Sequence, residues 1–400
     1  MSRLTIRLLV LAALCGLILF LLLTSHKQPG YPEVATIGSG VEGFQQLSGR
    51  FQSLAREKGA LYAYEVLRRA TLPPNADVHL LGHTVGDELY IQKGVGGISS
   101  CTQEFRNACS HTIVIGALNE FGSEKALSLI HESCKNAPGG SGAYTMCHHG
   151  LGHGVFAYYG YDLTKTVGFC KKTGTDAYRN REYVECVGGS VMELMGGGGH
   201  DKVSWLASRE KYLDVKDPLA PCSTSVIPAE AKGMCYMYLT PHLFEAAGGS
   251  LANPQPRDFA TAFRFCDRIS KGTSDLREAC FSGIGKEFPV LALSRDIRSL
   301  DVADDKALGQ MREWCALAPH EEAYRDCARS IVSSLYWGGE SDPHTVIRFC
   351  DLAGGDDRSH CFAGIFEEAK QYSSLQYPEA KLCTLIPADA KSSCQAALSS

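Results

Sequence analysis

Cysteine spacing constrains this chain more than any other feature. Sixteen of its 17 cysteines fall into close pairs, and the remaining one, Cys15, lies in an apolar N-terminal segment. The pairs are Cys101 with Cys109, Cys134 with Cys147, Cys170 with Cys186, Cys222 with Cys235, Cys266 with Cys280, Cys315 with Cys327, Cys350 with Cys361 and Cys383 with Cys394. Their spacing is wider than the C-x2-C spacing of zinc sites, so the pairs predict disulfides and an oxidising compartment.

Residues 1–27 carry the features of an uncleaved signal anchor. Arg3 and Arg7 precede an apolar run from Leu8 to Leu23, and such positive residues stay on the cytoplasmic side of a membrane. The end of the run lacks the small-x-small pattern of a cleaved signal peptide. We therefore expect a single-pass membrane protein with a cytoplasmic N-terminus. Its bulk would lie in the periplasm or the extracellular space, joined to the anchor by a flexible tether over residues 28–42.

The segments around the cysteine pairs repeat a helix–loop–helix pattern. Segments such as LTKTVGFC, ending at Cys170, and CFSGIGKEF, starting at Cys280, have apolar residues three and four apart, which is typical of helices. Glycine disfavours helix, so its recurrence near the start of second helices predicts close contact between helices there. These glycines are Gly150, Gly188, Gly283 and Gly364. The pattern predicts an all-α, irregular αα-hairpin solenoid with one disulfide per helix pair, in which neighbouring pairs stack.

A unit without cysteines precedes the others, with helices predicted over 53–70 and 78–90. The chain then divides into histidine-bearing helical repeats over 43–160 and disulfide-stapled helical repeats over 161–400. In overall plan it resembles tetratricopeptide-type (TPR) and Sel1-like solenoids, some of which carry one disulfide per repeat. That resemblance implies an architecture, and no function is carried over from it.

Histidines concentrate at matching positions of the first three units. HLLGH, CSH and CHHGLGH contain the five that share this register, namely His79, His83, His111, His149 and His153. A spacing of four residues places two imidazoles on one helix face, as in metal-binding helices. We therefore predict that these histidines are the ligands of a transition metal, with Asp87 as a further ligand one turn along the first helix.

The geometry of stacked helices sets a condition on this site. Packed helices lie 8–10 Å apart, so one metal shared by three units requires a tightly curved solenoid. Two neighbouring metals would relax that requirement. Further residues are expected around the site without being ligands: His148, Glu88, Tyr90, Met192, Met237 and His200, the last on a glycine-rich loop that could cover the site. The scattered histidines, His131 among them, are expected to be solvated.

Missing motifs and the charge balance exclude several classes of function. The chain contains no P-loop, G-x-S-x-G, HExxH or dinucleotide fingerprint. A formal net charge of -5 gives no basic surface for nucleic acid. Imidazole ligands suit copper, iron or zinc. The leading hypothesis is a membrane-anchored extracytoplasmic metal-dependent enzyme, with oxidation at copper or non-haem iron favoured over hydrolysis at zinc.

Two alternatives stay open at this point. The first is a non-catalytic, disulfide-stapled solenoid whose groove binds a peptide or a protein. The second is a carrier of metal or haem without turnover, since histidine and methionine are ligands of both. The sequence predicts that the five histidine rings converge in an enzyme or a carrier, and that they form a spread row in a simple scaffold.

Overall fold

The computed structural model describes residues 30–398 except 74–75, 102–104, 106–107, 138–139, 198–200, 250–254, 297, 299–301, 339–341 and 372–377. The described part of the chain is helical and contains no strand. This confirms the predicted all-α class. The signal anchor predicted over 1–27 lies outside these residues. None of the helices within the described ranges has the length and apolar character needed to cross a membrane.

The α-helices of the described residues are numbered here in chain order. The first nine are α1 (Phe44–Lys58), α2 (Ala60–Arg69), α3 (Val78–Lys93), α4 (Ala108–Cys134), α5 (Gly140–Tyr158), α6 (Leu163–Cys170), α7 (Arg181–Gly196), α8 (Lys202–Tyr212) and α9 (Lys232–Tyr238). The others are α10 (Thr240–Ala246), α11 (Pro256–Asp267), α12 (Ser274–Ala292), α13 (Asp305–Cys315), α14 (Glu321–Gly338), α15 (Pro343–Asp351), α16 (Gly355–Gln371), α17 (Glu379–Leu385) and α18 (Lys391–Leu398).

All eight predicted cysteine pairs are disulfides. Their Cα atoms lie between 5.4 and 5.7 Å apart, within the range that a disulfide requires. The bonds join Cys101 to Cys109, Cys134 to Cys147, Cys170 to Cys186, Cys222 to Cys235, Cys266 to Cys280, Cys315 to Cys327, Cys350 to Cys361 and Cys383 to Cys394.

The second cysteine of each pair lies in a helix and is buried. The helices α4, α5, α7, α9, α12, α14, α16 and α18 contain, in this order, Cys109, Cys147, Cys186, Cys235, Cys280, Cys327, Cys361 and Cys394. The bond from Cys170 at the end of α6 to Cys186 in α7 illustrates the repeat, because it joins one helix to the next across the connecting loop. One disulfide thus fixes the two helices of such a pair to each other.

Helical segments break at two glycines, one of which interrupts a predicted helix. The predicted helix over 53–70 is divided at Gly59, where φ is 97°. A second break falls within α4 at Gly122, where φ is 72°. Glycine adopts these positive angles without steric strain. The apolar periodicity continues through Gly59, and this is why no break was predicted there. Gly122 lies between two stretches, 109–121 and 124–134, that each have a helical pattern of their own.

The tether predicted over 28–42 is wrong for the residues that follow Gly30. The ring of Tyr31 packs on that of Tyr62 with centroids 4.9 Å apart, and Ile37 is buried. The guanidinium of Arg50 donates to the carbonyl of Ile37 at 2.9 Å. Glycine and proline suggested a flexible segment, but the apolar side chains between them pack against α1 and α2.

Glycines bring the second helices of successive units into backbone contact. A Cβ added at Gly152 in α5 would lie 1.9 Å from the carbonyl oxygen of Cys186 in α7. A Cβ at Gly189 would lie 1.9 Å from the carbonyl oxygen of His149. Of the glycines that the sequence singled out, Gly283 shows such an approach, with an added Cβ 2.6 Å from the carbonyl oxygen of Met237 in α9. The closest contacts between α5 and α7 fall instead at Gly152 and Gly189, and these two helices carry much of the candidate site.

The row of helices curves until its late members meet its early ones. Helix α16 contacts α5, and Nη1 of Arg181 in α7 donates to Oε1 of Gln371 in α16 at 2.9 Å. The guanidinium of Arg298 donates to the carbonyls of Leu67 and Ala70 at 2.8 and 2.7 Å. The row of helices therefore has the tight curvature that a shared histidine site requires.

Candidate metal centre

The five histidines of the shared register converge inside this curve. Ring centroids lie 4.6 Å apart for His79 and His83 on α3, and 5.1 Å apart for His149 and His153 on α5. His111 on α4 lies between the two pairs, 5.3 Å from His79 and stacked on His153 at 4.1 Å. Four of the rings are buried and His79 is partly buried. The five histidines that occupy matching positions in the sequence are therefore close together in space.

The nitrogen atoms are spaced as the ligands of one ion would be. Two nitrogens that each lie about 2.05 Å from a tetrahedral ion are about 3.3 Å from each other. Nε2 of His83 lies 3.2 Å from Nε2 of His79 and 3.4 Å from Nδ1 of His111. All ligand atoms of this triad lie within 4.8 Å of one another. His79, His83 and His111 could therefore hold a metal ion.

Hydrogen bonds at Nδ1 orient two of the rings. His79 donates from Nδ1 to the carbonyl oxygen of Phe105 at 2.7 Å. His153 donates from Nδ1 to a carboxylate oxygen of Glu193 at 2.9 Å. In a neutral imidazole each bond places the hydrogen on Nδ1, and Nε2 of both rings faces a neighbouring imidazole. Metal-bound histidines are held in this way in most proteins, because the outer partner fixes both tautomer and ring orientation.

Helix α7 supplies two buried carboxylates behind the α5 histidines. Glu185 lies 3.6 Å from Nδ1 of His149, and Glu193 contacts His153 two turns further along the same face. The residues predicted from the sequence to surround the site did not include Glu185. A signal was present in the acid–glycine–acid spacing around Gly189, since this glycine is the contact point with α5.

Burial keeps the central imidazoles neutral. Burial, together with the neighbouring imidazoles, lowers the pKa of His111 far below its usual range. Burial also lowers the pKa of His149 to about 4, although Glu185 opposes this shift. Nε2 of His111 is buried and has no hydrogen-bond partner, which costs roughly 1–3 kcal/mol in a folded protein. Neutral nitrogens are what a metal requires of its ligands, and Nδ1 of His111, 3.4 Å from Nε2 of His83, is the nitrogen placed to bind an ion.

Three residues predicted at the site lie elsewhere or outside the triad. Glu88 is buried but pairs with the guanidinium of Arg56 at 2.8 Å, and the hydroxyl of Tyr90 donates to Glu120 at 2.6 Å. Their expected positions beside the histidines are therefore corrected, because each polar end is engaged by another helix. Asp87, predicted as a ligand, is not one of the residues that form the group of possible metal ligands.

His148 belongs to a separate polar cluster. It is buried, its Nδ1 donates to the carbonyl of Tyr144 at 3.1 Å, and its Nε2 lies 3.1 Å from Nδ1 of His131. Burial lowers the pKa of His148 to about 4. His131 is thus partly buried and paired, which corrects the expectation that it is solvated. His200 and its predicted covering role fall outside the described residues.

Two cavities border the histidine cluster. The smaller has a volume of 120 Å³ and is lined by three of the rings, those of His79, His83 and His153. The larger has a volume of 280 Å³ and reaches His149. Met192 lines both cavities and Met237 lines the larger. Both methionines that the sequence singled out therefore lie on walls next to the cluster.

The chain matches no family model, no curated protein and no solved structure. Its function is therefore inferred from the chemistry of the site. Neutral imidazoles are ligands that copper, iron and zinc all accept. The adjoining cavities leave room for a small molecule beside them.

Proposed function

We propose that this protein is a metal-dependent enzyme of an extracytoplasmic compartment, anchored to the membrane by residues 1–27. Its histidine cluster would bind a transition metal, with oxidation at copper or non-haem iron favoured over hydrolysis at zinc. One observation carries the proposal. Imidazoles of α3 and α4 converge at ligand spacing, a ring of α5 stacks on that of His111, and hydrogen bonds from Nδ1 of His79 and His153 orient two of the rings.

The ligand set favours oxidative chemistry. Catalytic zinc usually takes three protein ligands, and the triad of His79, His83 and His111 has that number, but two further imidazoles, those of His149 and His153, lie beside it. The carboxylates of Glu185 and Glu193 contact outer nitrogens of the rings, so nitrogen dominates the inner face of the cluster. Copper and iron suit such a set. When bound, copper or iron would supply oxidation by O2, and zinc would supply a bound water of lowered pKa.

The disulfides support the proposed compartment. Eight bridges pair all sixteen cysteines from Cys101 to Cys394, and bridges of this kind persist in the periplasm or outside the cell. The short apolar run before Thr24 would then serve as the anchor that holds the helical repeats at the membrane surface.

Separate reconstitution with each metal tests the proposal. The full chain is loaded with Cu(II), Fe(II) or Zn(II), and O2 uptake is followed with ascorbate as reductant. The expected result is uptake by the copper or iron form and none by the zinc form. Electron paramagnetic resonance of the copper form should show coupling to several nitrogens. The His83→Ala variant should lose both signals, whereas His360→Ala, at an exposed position, should keep them.

The alternatives make different predictions in the same experiment. A metal carrier would bind the ion through the same nitrogens and show no O2 uptake above that of free metal. A peptide-binding solenoid would not bind metal stoichiometrically. The His83→Ala variant would then give the same O2 uptake and the same resonance signal as the unchanged protein. Activity confined to the zinc form would assign hydrolysis in place of oxidation.

A further inference from the structure

We propose that the 280 Å³ cavity beside His149 is the substrate pocket, and that it takes a compact, mostly apolar molecule with one polar group, such as a substituted aromatic ring. The chemistry of turnover rests on the proposed function. Binding to the cavity does not, and it can be measured without metal. The inference is carried by the side chains that line the cavity, by its size and by its position against the cluster.

Methionine forms an unusual share of the cavity wall. The chain has seven methionines, and four of them line this one cavity, namely Met146, Met192, Met234 and Met237. They come from three helices, α5, α7 and α9, so no single amphipathic face explains the grouping. Methionine is flexible and polarisable and makes favourable sulfur–aromatic contacts. Such a wall adapts its shape to a flat apolar ligand.

A small polar group of side chains faces this wall. Ser330, Ser333 and Ser334 from α14 line the cavity together with Glu368 from α16. Ser333 donates to the carboxylate of Glu368, and Ser334 donates to the carbonyl of Lys286 at 3.4 Å. Ligand pockets are typically apolar with a few polar groups that fix orientation. The serines and Glu368 would receive the polar group of the ligand.

The volume limits the size of the occupant. A cavity of about 150 Å³ is large enough to hold benzene. A volume of 280 Å³ is therefore sufficient for a two-ring molecule or for one ring with short substituents. A folded peptide segment would exceed it, so the cavity favours a small molecule.

The pocket adjoins the candidate metal centre through one aromatic ring. The ring of Tyr238 lies 4.7 Å from the ring of His149, and Tyr238 lines both cavities. Nζ of Lys286 lies 4.7 Å from the Tyr238 ring. A molecule in the pocket would thus lie beside the cluster. Arg181 and Gln371, which bond to each other at 2.9 Å, are part of the wall of this pocket, and the Arg181 side chain is 41% exposed.

The test is a titration of the metal-free full chain with 2-naphthol, followed by the fluorescence of the ligand. Saturable binding is expected. Ser334→Phe fills the pocket and should weaken binding by about tenfold, or about 1.4 kcal/mol, because the new ring takes up space that the ligand needs. Ser53→Phe, at an exposed position of α1, should leave it unchanged. Met234→Phe fills the pocket from another helix, α9. This variant replaces Ser334→Phe in the titration if Ser334→Phe melts at a lower temperature than the unchanged protein.

Failure of this inference can be separated from failure of the proposed function. Equal binding by the unchanged protein and by both filled variants would overturn the pocket, as would the lack of any saturable binding. A His79→Ala/His111→Ala variant should lose metal and keep 2-naphthol binding, which supports both proposals. If the unchanged protein binds 2-naphthol but takes up no metal, the pocket is upheld and the metal centre is overturned.

Discussion

Nδ1 of His153 on α5 lies 2.9 Å from a carboxylate oxygen of Glu193 on α7. The carboxylate accepts the Nδ1 hydrogen, and Nε2 of the same ring faces Nε2 of His149 at 3.3 Å. The helices that carry the two residues touch through Gly152 and Gly189. Helix contact, imidazole orientation and ligand spacing are therefore parts of one arrangement, and each part can be changed separately.

Replacing Glu193 by glutamine should weaken metal binding without unfolding the protein. A neutral amide is a poorer partner for Nδ1, and loss of such outer partners lowers metal affinity by about 10–100-fold. Competition with a chromophoric chelator measures the change. Glu210→Gln, on the exposed side of α8, is the matched control and should bind metal as the unchanged protein does. Equal affinity for the two variants would contradict the role given to Glu193.

Gly189→Ala should both destabilise the fold and disrupt the cluster. Its Cβ would lie 1.9 Å from the carbonyl oxygen of His149, so α5 and α7 must move apart. Overpacking of this kind costs about 1–3 kcal/mol, and metal affinity should fall together with the free energy of unfolding. Gly49→Ala, in α1 with open space around it, should instead stabilise by up to about 1 kcal/mol. Chemical denaturation of both variants makes the comparison, and a neutral Gly189→Ala would refute the close contact.

Removing the disulfide between Cys170 and Cys186 should destabilise the protein by about 3 kcal/mol, given the length of the loop that it closes. Because this bond anchors α7, metal affinity should fall as well. Removing the bond between Cys383 and Cys394 should also destabilise the chain but leave metal binding unchanged. Paired alanine variants, compared by thermal melting and by chelator competition, test this. Equal effects on metal binding would count against a local role for the first bond.

Asp326 gives a pH dependence that is independent of the metal. Burial, reinforced by Glu278 and Glu322, raises its pKa to about 7. A carboxyl with a raised pKa in the folded state is destabilising once it ionises. Stability should therefore fall as pH rises from the unfolded-state pKa near 4 to about 7, and stay level above.

The Asp326→Asn variant should remove this loss. At pH 8 it should be more stable than the unchanged protein by about 1–2 kcal/mol, a figure reduced for the partial exposure of the carboxyl. At pH 4 the two proteins should differ little. Asp176→Asn, at an exposed position, should give the same small difference at both values. A stability gain for Asp326→Asn that is equal at pH 4 and pH 8 would show that the carboxyl is not perturbed.

Local patterns predicted the features that depend on spacing along the chain. The pairing of cysteines such as Cys315 with Cys327, or Cys350 with Cys361, could be read directly, because each bond closes a short loop. The shared register of His79, His111 and His149 predicted a row, because stacked repeats turn equal positions into neighbours. The curvature of the row of helices, which brings the rings together, could not be predicted from the sequence, because it depends on contacts between residues far apart in sequence. Arg181 and Gln371, one such pair, are 190 residues apart.

The predictions that failed share a physical cause. Glu88 and Tyr90 follow the histidines closely in α3, but nearness in sequence does not decide which helix face a side chain occupies. Glu185 was missed because its partner His149 lies on another helix. The pocket likewise draws its methionines and serines from several units. Each of these features depends on which helices pack together.

Elemental analysis of the oxidised, untagged full chain tests the central claim most directly. The unchanged protein is compared with a His79→Ala/His149→Ala variant, which removes one ligand from each histidine pair, and with His344→Ala, at an exposed position. The account predicts stoichiometric copper, iron or zinc in the unchanged protein and in His344→Ala, and its loss from the double variant. The same low metal content in all three proteins, after reconstitution with each ion, would contradict it.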